Sequence, residues 1–114
     1  MKEITQLYEY IKSHHGEKYF SITYNHYNVI VVFHNELSIR FTLDNFYKIY
    51  INDVLYYDID EQDIIHTVDD IFSGEYVFCK IKGIKNYKIK IIPLTKYIDA
   101  NHIIGAWTMK KTLK

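Results

Sequence analysis

The stretch VIVVFHNELSIRFTLDNFYKIY, Val29 to Tyr50, decides the fold because its apolar residues follow the period of β-strands. From residue 37 to residue 43, apolar and polar side chains alternate, which predicts a strand with one buried and one solvated face. The preceding run, residues 28–34, is apolar on both faces and predicts a central strand. Short connections rich in Asn and Asp follow each run, as antiparallel hairpins require.

Further strands and helices are predicted on both sides of this stretch. Alternation around Ile22 predicts an earlier strand, and residues 46–51 and 54–57 predict two later ones. Apolar stripes at helical spacing predict helices at about 2–14 and 61–73, with Asp60 as the cap of the second. Two further strands are expected at 76–82 and 86–92. The last twenty residues could contain a strand at 102–109 or a short turn followed by a strand.

These elements predict the α+β class, as a single domain over residues 1–114. The expected architecture is an antiparallel meander sheet of about seven strands with two helices packed on one face, in the order α-βββββ-α-ββ(β). The opposite face of the sheet would then be open. With 114 residues, 48% of them hydrophobic, the chain is large enough to bury a core.

Composition also predicts the compartment and the source of the protein. The single cysteine, Cys79, cannot form an intramolecular disulfide, which favours a reducing, cytoplasmic compartment. No apolar run reaches the roughly 20 residues of a membrane span, so no membrane partner is expected. Abundant Ile, Lys, Tyr and Asn, with Arg40 as the one arginine, indicate an A/T-rich gene from a low-GC bacterium, phage or mobile element.

Charge is sorted along the chain although the net charge is zero. Residues 56–76 contain seven acids and no Lys or Arg, whereas residues 80–114 contain nine Lys and one acid. The helix dipole favours the acids of the first turn, but Asp69 and Asp70 lie near the opposite end and need another partner. Lysines of the C-terminal strands are candidates for that role. We predict that this helix binds a partner through Asp63, His66, Asp69 and Asp70.

A metal site is the alternative interpretation of the acidic segment. Asp63, His66 and Asp70 share one helix face and could hold a divalent ion, but no fourth ligand is evident. A calcium loop starting at Asp58 fails because Asp63 stands where that loop needs Gly. We therefore expect no metal and no cofactor.

The hairpin at residues 76–92 carries a basic pattern. Its inner face is predicted to hold Val77, Cys79 and Ile81, which makes Cys79 a buried, inert thiol. The outer face would then present a patch able to contact nucleic-acid phosphates, or simply a solvated lysine surface. Its predicted residues are Phe78, Lys80, Lys82, Lys88 and Lys90.

Twelve tyrosines are the other unusual feature. On the open sheet face, Arg40, Phe46, Lys48 and Tyr50 have the composition of a protein interface, although A/T-rich codons alone also favour Tyr. No Gly-rich phosphate loop or catalytic His pattern is present, so no enzyme is predicted.

The sequence therefore leaves four functional hypotheses. The first is a non-catalytic inhibitor, immunity or antagonist protein that binds another protein. The second is a nucleic-acid-binding module that uses the lysine hairpin. The third is a small metal-dependent or hydrolytic enzyme around Asp63, His66 and Asp70 of the acidic helix. The fourth is a homodimer in which the acidic helix of one copy meets the lysine patch of the other.

Overall fold

The computed structural model describes residues 3–16, 20–33, 36–98 and 102–108. It confirms the α+β class, with two helices and two antiparallel sheets. The helices are α1 (Ile4–His15) and α2 (Ile64–Ile71), the latter preceded by a 3₁₀ turn at Glu61–Asp63. The strands are β1 (Phe20–Tyr24), β2 (Asn28–Phe33), β3 (Ser38–Leu43), β4 (Tyr47–Ile51), β5 (Val54–Ile59), β6 (Tyr76–Lys82), β7 (Tyr87–Pro93) and β8 (Ile103–Thr108).

The strands divide into two sheets rather than one. Strands β1 to β5 form a five-stranded meander in sequence order, and the last three form a second sheet in the order β7-β6-β8. Helix α2 interrupts the meander between β5 and β6, so β6 pairs with the two strands that follow it. The two-residue turn at Asn52 and Asp53, both with positive φ, shows the hairpin chemistry expected from the sequence.

The main core lies between one face of the five-stranded sheet and the two helices. Buried residues of β2, β3 and β4 form one cluster with Ile4, Leu7 and Ile11 of α1. Helix α2 adds Ile64, Val68 and Ile71. Each such side chain contributes about 1.5–3 kcal/mol when fully buried. Both helices therefore lie on the same face of this sheet. Neither of these two helices is long and apolar enough to cross a membrane.

Two local features differ from what the sequence pattern suggests. Strand β2 was predicted to be a central strand and does lie between β1 and β3, but its Val32 is 45% exposed because only one face of the sheet is covered. Asp60 was predicted to cap the second helix, but its side chain makes no capping hydrogen bond. The chain instead enters α2 through the 3₁₀ turn, in which the N–H of Asp63 donates to the carbonyl of Asp60 at 3.0 Å.

An aromatic cluster around Phe72 joins the end of α2 to the sheet. Its ring centroid lies 5.6 Å from Phe20, 6.2 Å from Phe33 and 6.4 Å from Phe41. His15 of α1 stacks on the same ring at 5.0 Å. Phe72 thus connects both helices with three strands.

Replacing this ring should destabilise the whole fold. We expect Phe72→Ala to lower the free energy of unfolding by about 2–3 kcal/mol, somewhat less than the usual loss for a fully buried Phe. Urea unfolding followed by circular dichroism measures the change. The control is Ile84→Ala, at a fully exposed loop position, which should alter stability by less than about 0.5 kcal/mol. Equal stability of the two variants would contradict this role of Phe72.

Candidate protein-binding surfaces

The acidic helix has a structural partner that the sequence did not reveal. Asp69 accepts hydrogen bonds from the hydroxyl of Tyr10, at 2.9 Å and 3.0 Å to its two oxygens. Nε2 of His15 lies 2.9 Å from Oδ1 of the same carboxylate. The partner of Asp69 is therefore the C-terminal end of α1, not a lysine of the later strands.

The electrostatics of this contact favour a charged Asp69. Partial burial raises the pKa of its carboxyl, but the hydrogen bonds from His15 and Tyr10 and the positive charges of His15 and His14 lower it further than burial raises it. The pKa of Asp69 therefore lies below its ordinary value. The same hydrogen bond raises the pKa of the Tyr10 hydroxyl. Asp69 joins the two helices, which limits its use in binding a partner.

The other predicted residues of the acidic helix are more accessible. Asp70 lies 3.5 Å from His66, one helical turn away, and the side chains of both are more than half exposed. Such an exposed pair contributes little to stability. Asp63 is exposed at the end of the 3₁₀ turn and lines a small surface groove of about 340 Å³ with Asp58 and Asp60. Within the described residues, no three His, Cys, Asp or Glu side chains are placed to hold a metal.

The lysine hairpin differs from its prediction. Residues that pair across β6 and β7 lie on the same face of the sheet. Lys80 pairs with Ile89, and Lys90 pairs with Cys79. Lys80 and Lys82 therefore lie on one face of the second sheet, and Lys88 and Lys90 lie on the opposite face. The prediction of one four-lysine patch was wrong because the register of the hairpin cannot be read from the phase of each strand alone.

Phe78 also differs from its prediction as an exposed contact residue. It is fully buried, pairs with Ile91 and Trp107, and belongs to the main core. The aromatic ring beside the lysines is that of Tyr87 and not that of Phe78. Nζ of Lys80 lies 4.5 Å from the centroid of the Tyr87 ring. Cys79 is buried as expected, and burial raises the pKa of its thiol, which disfavours the reactive thiolate.

The open sheet face is the surface where the predicted residues come together. Cross-strand pairing builds one row across all five strands, made of Thr23, Ile30, Arg40, Tyr50 and Leu55. A second row contains Asn28, Thr42, Lys48 and Asp58. These side chains point away from the helices because the intervening residues form the core.

Arg40 and Tyr50 lie at the centre of this face. The guanidinium carbon is 4.1 Å from the ring centroid, within range of a cation–π contact, and Nη2 is 3.9 Å from the carboxylate of Asp53. Around this stack, Val32 is 45% and Leu55 is 49% exposed. Lys48 is close to Phe46, with 5.6 Å between its Nζ and the ring centroid. The four residues predicted for this face therefore form two neighbouring contacts.

A larger groove lies at the start of α1 and was not predicted. Its volume is about 640 Å³, and its walls come from the first turn of α1 and from the turns after β1 and β3. Exposed Tyr24 and Tyr27 line it together with Glu3, His26 and Asp44. Sequence reasoning missed this groove because its walls are distant in the chain and each residue type is ordinary in a turn.

The contact between α1 and α2 predicts a pH-dependent stability. We expect Asp69→Asn to lower the free energy of unfolding by up to about 1 kcal/mol near neutral pH, since the carboxylate is about half exposed and screened by solvent. The pKa of Asp69 is lowered by folding, so its contribution is present above the unfolded pKa of about 3.9 and lost as pH falls through the folded value. Urea unfolding at several pH values measures this difference.

Asp70→Asn provides the matched control for this prediction. It removes the same charge from the neighbouring residue, whose pair with His66 is exposed, and should change stability by a few tenths of a kcal/mol. A loss for Asp69→Asn that does not shrink as the pH falls through the folded pKa of Asp69 would show that the carboxylate charge does not contribute.

Comparison of the chain with models of protein families, with curated proteins and with solved structures finds no match.

Proposed function

We propose that this chain is a non-catalytic protein that binds another protein through the open face of its five-stranded sheet. The observation that carries the proposal is the exposed apolar surface of Val32 and Leu55 around the stacked Arg40 and Tyr50. Arg and Tyr are the residue types that most often dominate binding energy at protein interfaces, especially where apolar neighbours exclude water.

The physical chemistry of this face suits a protein partner. A stacked guanidinium loses little rotamer freedom on binding, because the ring of Tyr50 already restricts it. Asp53 contacts Arg40 only at 3.9 Å, so donors of the guanidinium stay available for a carboxylate of the partner. Flanking Val32 and Leu55 would lose their water when a second surface covers them. Binding would therefore combine one directed ionic contact with apolar burial.

The biological role that we propose is that of an inhibitor, immunity or antagonist protein in the cytoplasm of a low-GC bacterium, encoded by a phage or mobile element. Small size, Ile- and Lys-rich composition and the lack of a catalytic motif support this role. The nucleic-acid alternative loses its main support, because its four lysines lie on two faces and Phe78 is buried. The metal-enzyme alternative has no assembled ligand set among the described residues.

The test reverses the charge at the centre of the face. Tagged wild-type protein and Arg40→Glu are used to capture proteins from a host lysate treated with nuclease, and the affinity of the protein retained by the wild type is then measured by calorimetry. We expect Arg40→Glu, which alters the central contact with Tyr50, to weaken that affinity at least tenfold, and Leu55→Asp, which places a charge on an apolar neighbour of that contact, to do the same.

Two matched variants locate the effect. Lys82→Glu makes a similar charge reversal on the second sheet and should bind as the wild type does. Asp70→Lys tests the acidic helix without breaking the Asp69 contact that joins α1 to α2. Unchanged affinity of both Arg40→Glu and Leu55→Asp, with folding intact by circular dichroism, would refute the sheet-face proposal. If Asp70→Lys alone lost affinity for the partner, the binding would be assigned to the acidic helix instead.

A further inference from the structure

Strand β1 forms one edge of the five-stranded sheet, and it lacks the charges, the Pro and the bulge that often protect an edge. Its sequence FSITY contains no charged residue and no Pro, and its pairing with β2 runs through five consecutive residues without a bulge. Natural proteins commonly place charges, Pro or bulges on edge strands to prevent pairing with another chain. An unprotected edge of this kind can accept a further strand.

The other described sheet edges differ from β1. The pairing of β5 with β4 shifts at a bulge, and β5 also lies against β7. Strand β7 carries Lys88 and Lys90 and ends at Pro93. Strand β8 pairs with β6 through a second bulge. Among the strands that the structure describes at sheet edges, β1 alone combines regular pairing with an uncharged, Pro-free sequence.

The hairpin geometry determines which backbone groups of β1 face the free edge. The N–H of Asn25 donates to the carbonyl of Asn28 at 2.9 Å, which closes the hairpin between β1 and β2. Because hydrogen-bonded and non-bonded pairs alternate in antiparallel strands, Thr23 and Ser21 also bond toward β2. The remaining residues, Phe20, Ile22 and Tyr24, direct their N–H and C=O groups to the outside of the sheet.

We propose that two copies of this chain pair through β1 to form one continuous ten-stranded sheet. The strands would run antiparallel about a two-fold axis at Ile22, the middle of the strand. In this register Ile22 of one copy pairs with Ile22 of the other, and Phe20 of one copy pairs with Tyr24 of the other. All the outward N–H and C=O groups are then satisfied, with about six hydrogen bonds, two for each of the three facing pairs.

The side chains of β1 are complementary to themselves in this register. On the helix side of the sheet, Phe20 meets Tyr24, an aromatic pair of the kind that stabilises neighbouring strands. Tyr24 is held in place by Tyr8 of α1, at 4.4 Å between ring centroids, and is 48% exposed. On the open face, Ser21 meets Thr23 as a non-bonded pair, where side chains approach most closely. Strand β1 contains no charged residue, so no like-charge repulsion within the strand opposes this register.

Pairing through β1 is independent of the proposed function, because it uses the backbone groups of the sheet edge, whereas partner binding uses Arg40 and Tyr50 with their exposed neighbours Val32 and Leu55. In the dimer the two open faces would lie side by side on one surface. It also differs from a dimer of acidic helix and lysine patch, which uses neither β1 nor the backbone.

The experiment exchanges charges across the two-fold axis. The exposed residues Ser21 and Thr23 are both replaced by lysine in one variant and both by glutamate in the other. In either homodimer, like charges would face each other in two pairs, which disfavours pairing. In a mixture, every introduced lysine would face an introduced glutamate. Sedimentation equilibrium from about 1 to 200 μM and native mass spectrometry of the mixture measure the assemblies.

We expect the wild type to approach twice the chain mass of 13.8 kDa as concentration rises. Ser21→Lys/Thr23→Lys and Ser21→Glu/Thr23→Glu should each shift the dissociation constant at least tenfold toward monomer, and their mixture should form a one-to-one heterodimer. Asn45→Lys/Thr95→Lys adds the same charge at exposed positions away from the edge and should dimerise as the wild type does.

A wild type that stays monomeric up to about 200 μM would overturn the proposal. So would dimers of both charged variants with unchanged affinity, because the contact would then lie elsewhere. A mixture of folded charged variants that yields no heterodimer would also overturn it, since opposite charges must restore pairing in this register.

Discussion

The burial of one face of the five-stranded sheet beneath two helices is the interaction on which the rest of the structure depends. Strands β2, β3 and β4 supply the fully buried residues at its centre, and each helix adds an apolar stripe. A sheet of this kind has two faces, and two helices on one side leave the other without cover. The open row through Arg40 and Tyr50 is therefore a direct consequence of how the core is built.

The contact between the helices explains part of the charge pattern. Near the end of α2 a carboxylate opposes the helix dipole, so Asp69 needs favourable contacts of its own. Tyr10 and His15 provide them from the last two turns of α1, where a cationic ring also suits the dipole of that helix. The acidic segment thus contributes to folding at Asp69, while Asp63 and Asp70 remain at the surface.

The two surfaces that we propose for binding have different physical characters. The open face offers side chains, with a stacked cation among apolar neighbours, and suits an interface held by packing and one ionic contact. The edge at β1 offers backbone groups, and its specificity would come from register. Because one sheet presents both, a partner and a second copy could bind to the same molecule without competing for residues.

Local pattern determined most of the secondary structure. Alternating residues such as Ile39 and Phe41 fit a half-buried strand, and a two-residue turn such as Asn52-Asp53 fits a tight hairpin. The pairing of each strand of the meander with the next could therefore be predicted from residues that are close in the chain. The predicted helical stripes matched the buried residues of α1 and α2 for the same reason. The open face could also be predicted, because the apolar stripes of both helices have to pack against the same apolar face of the sheet.

Tertiary structure alone decided the contacts between distant segments. Asp69 and His15 are 54 residues apart, and nothing in either local pattern identifies the other. The division into two sheets, the burial of Phe78 and the separation of Lys80 from Lys90 likewise depend on register and on what packs against each strand. The hydrophobic period of each helix and strand could be read from the amino-acid order, since period is a local property. Which faces meet is decided by the folded chain, because it depends on the packing of all the elements together.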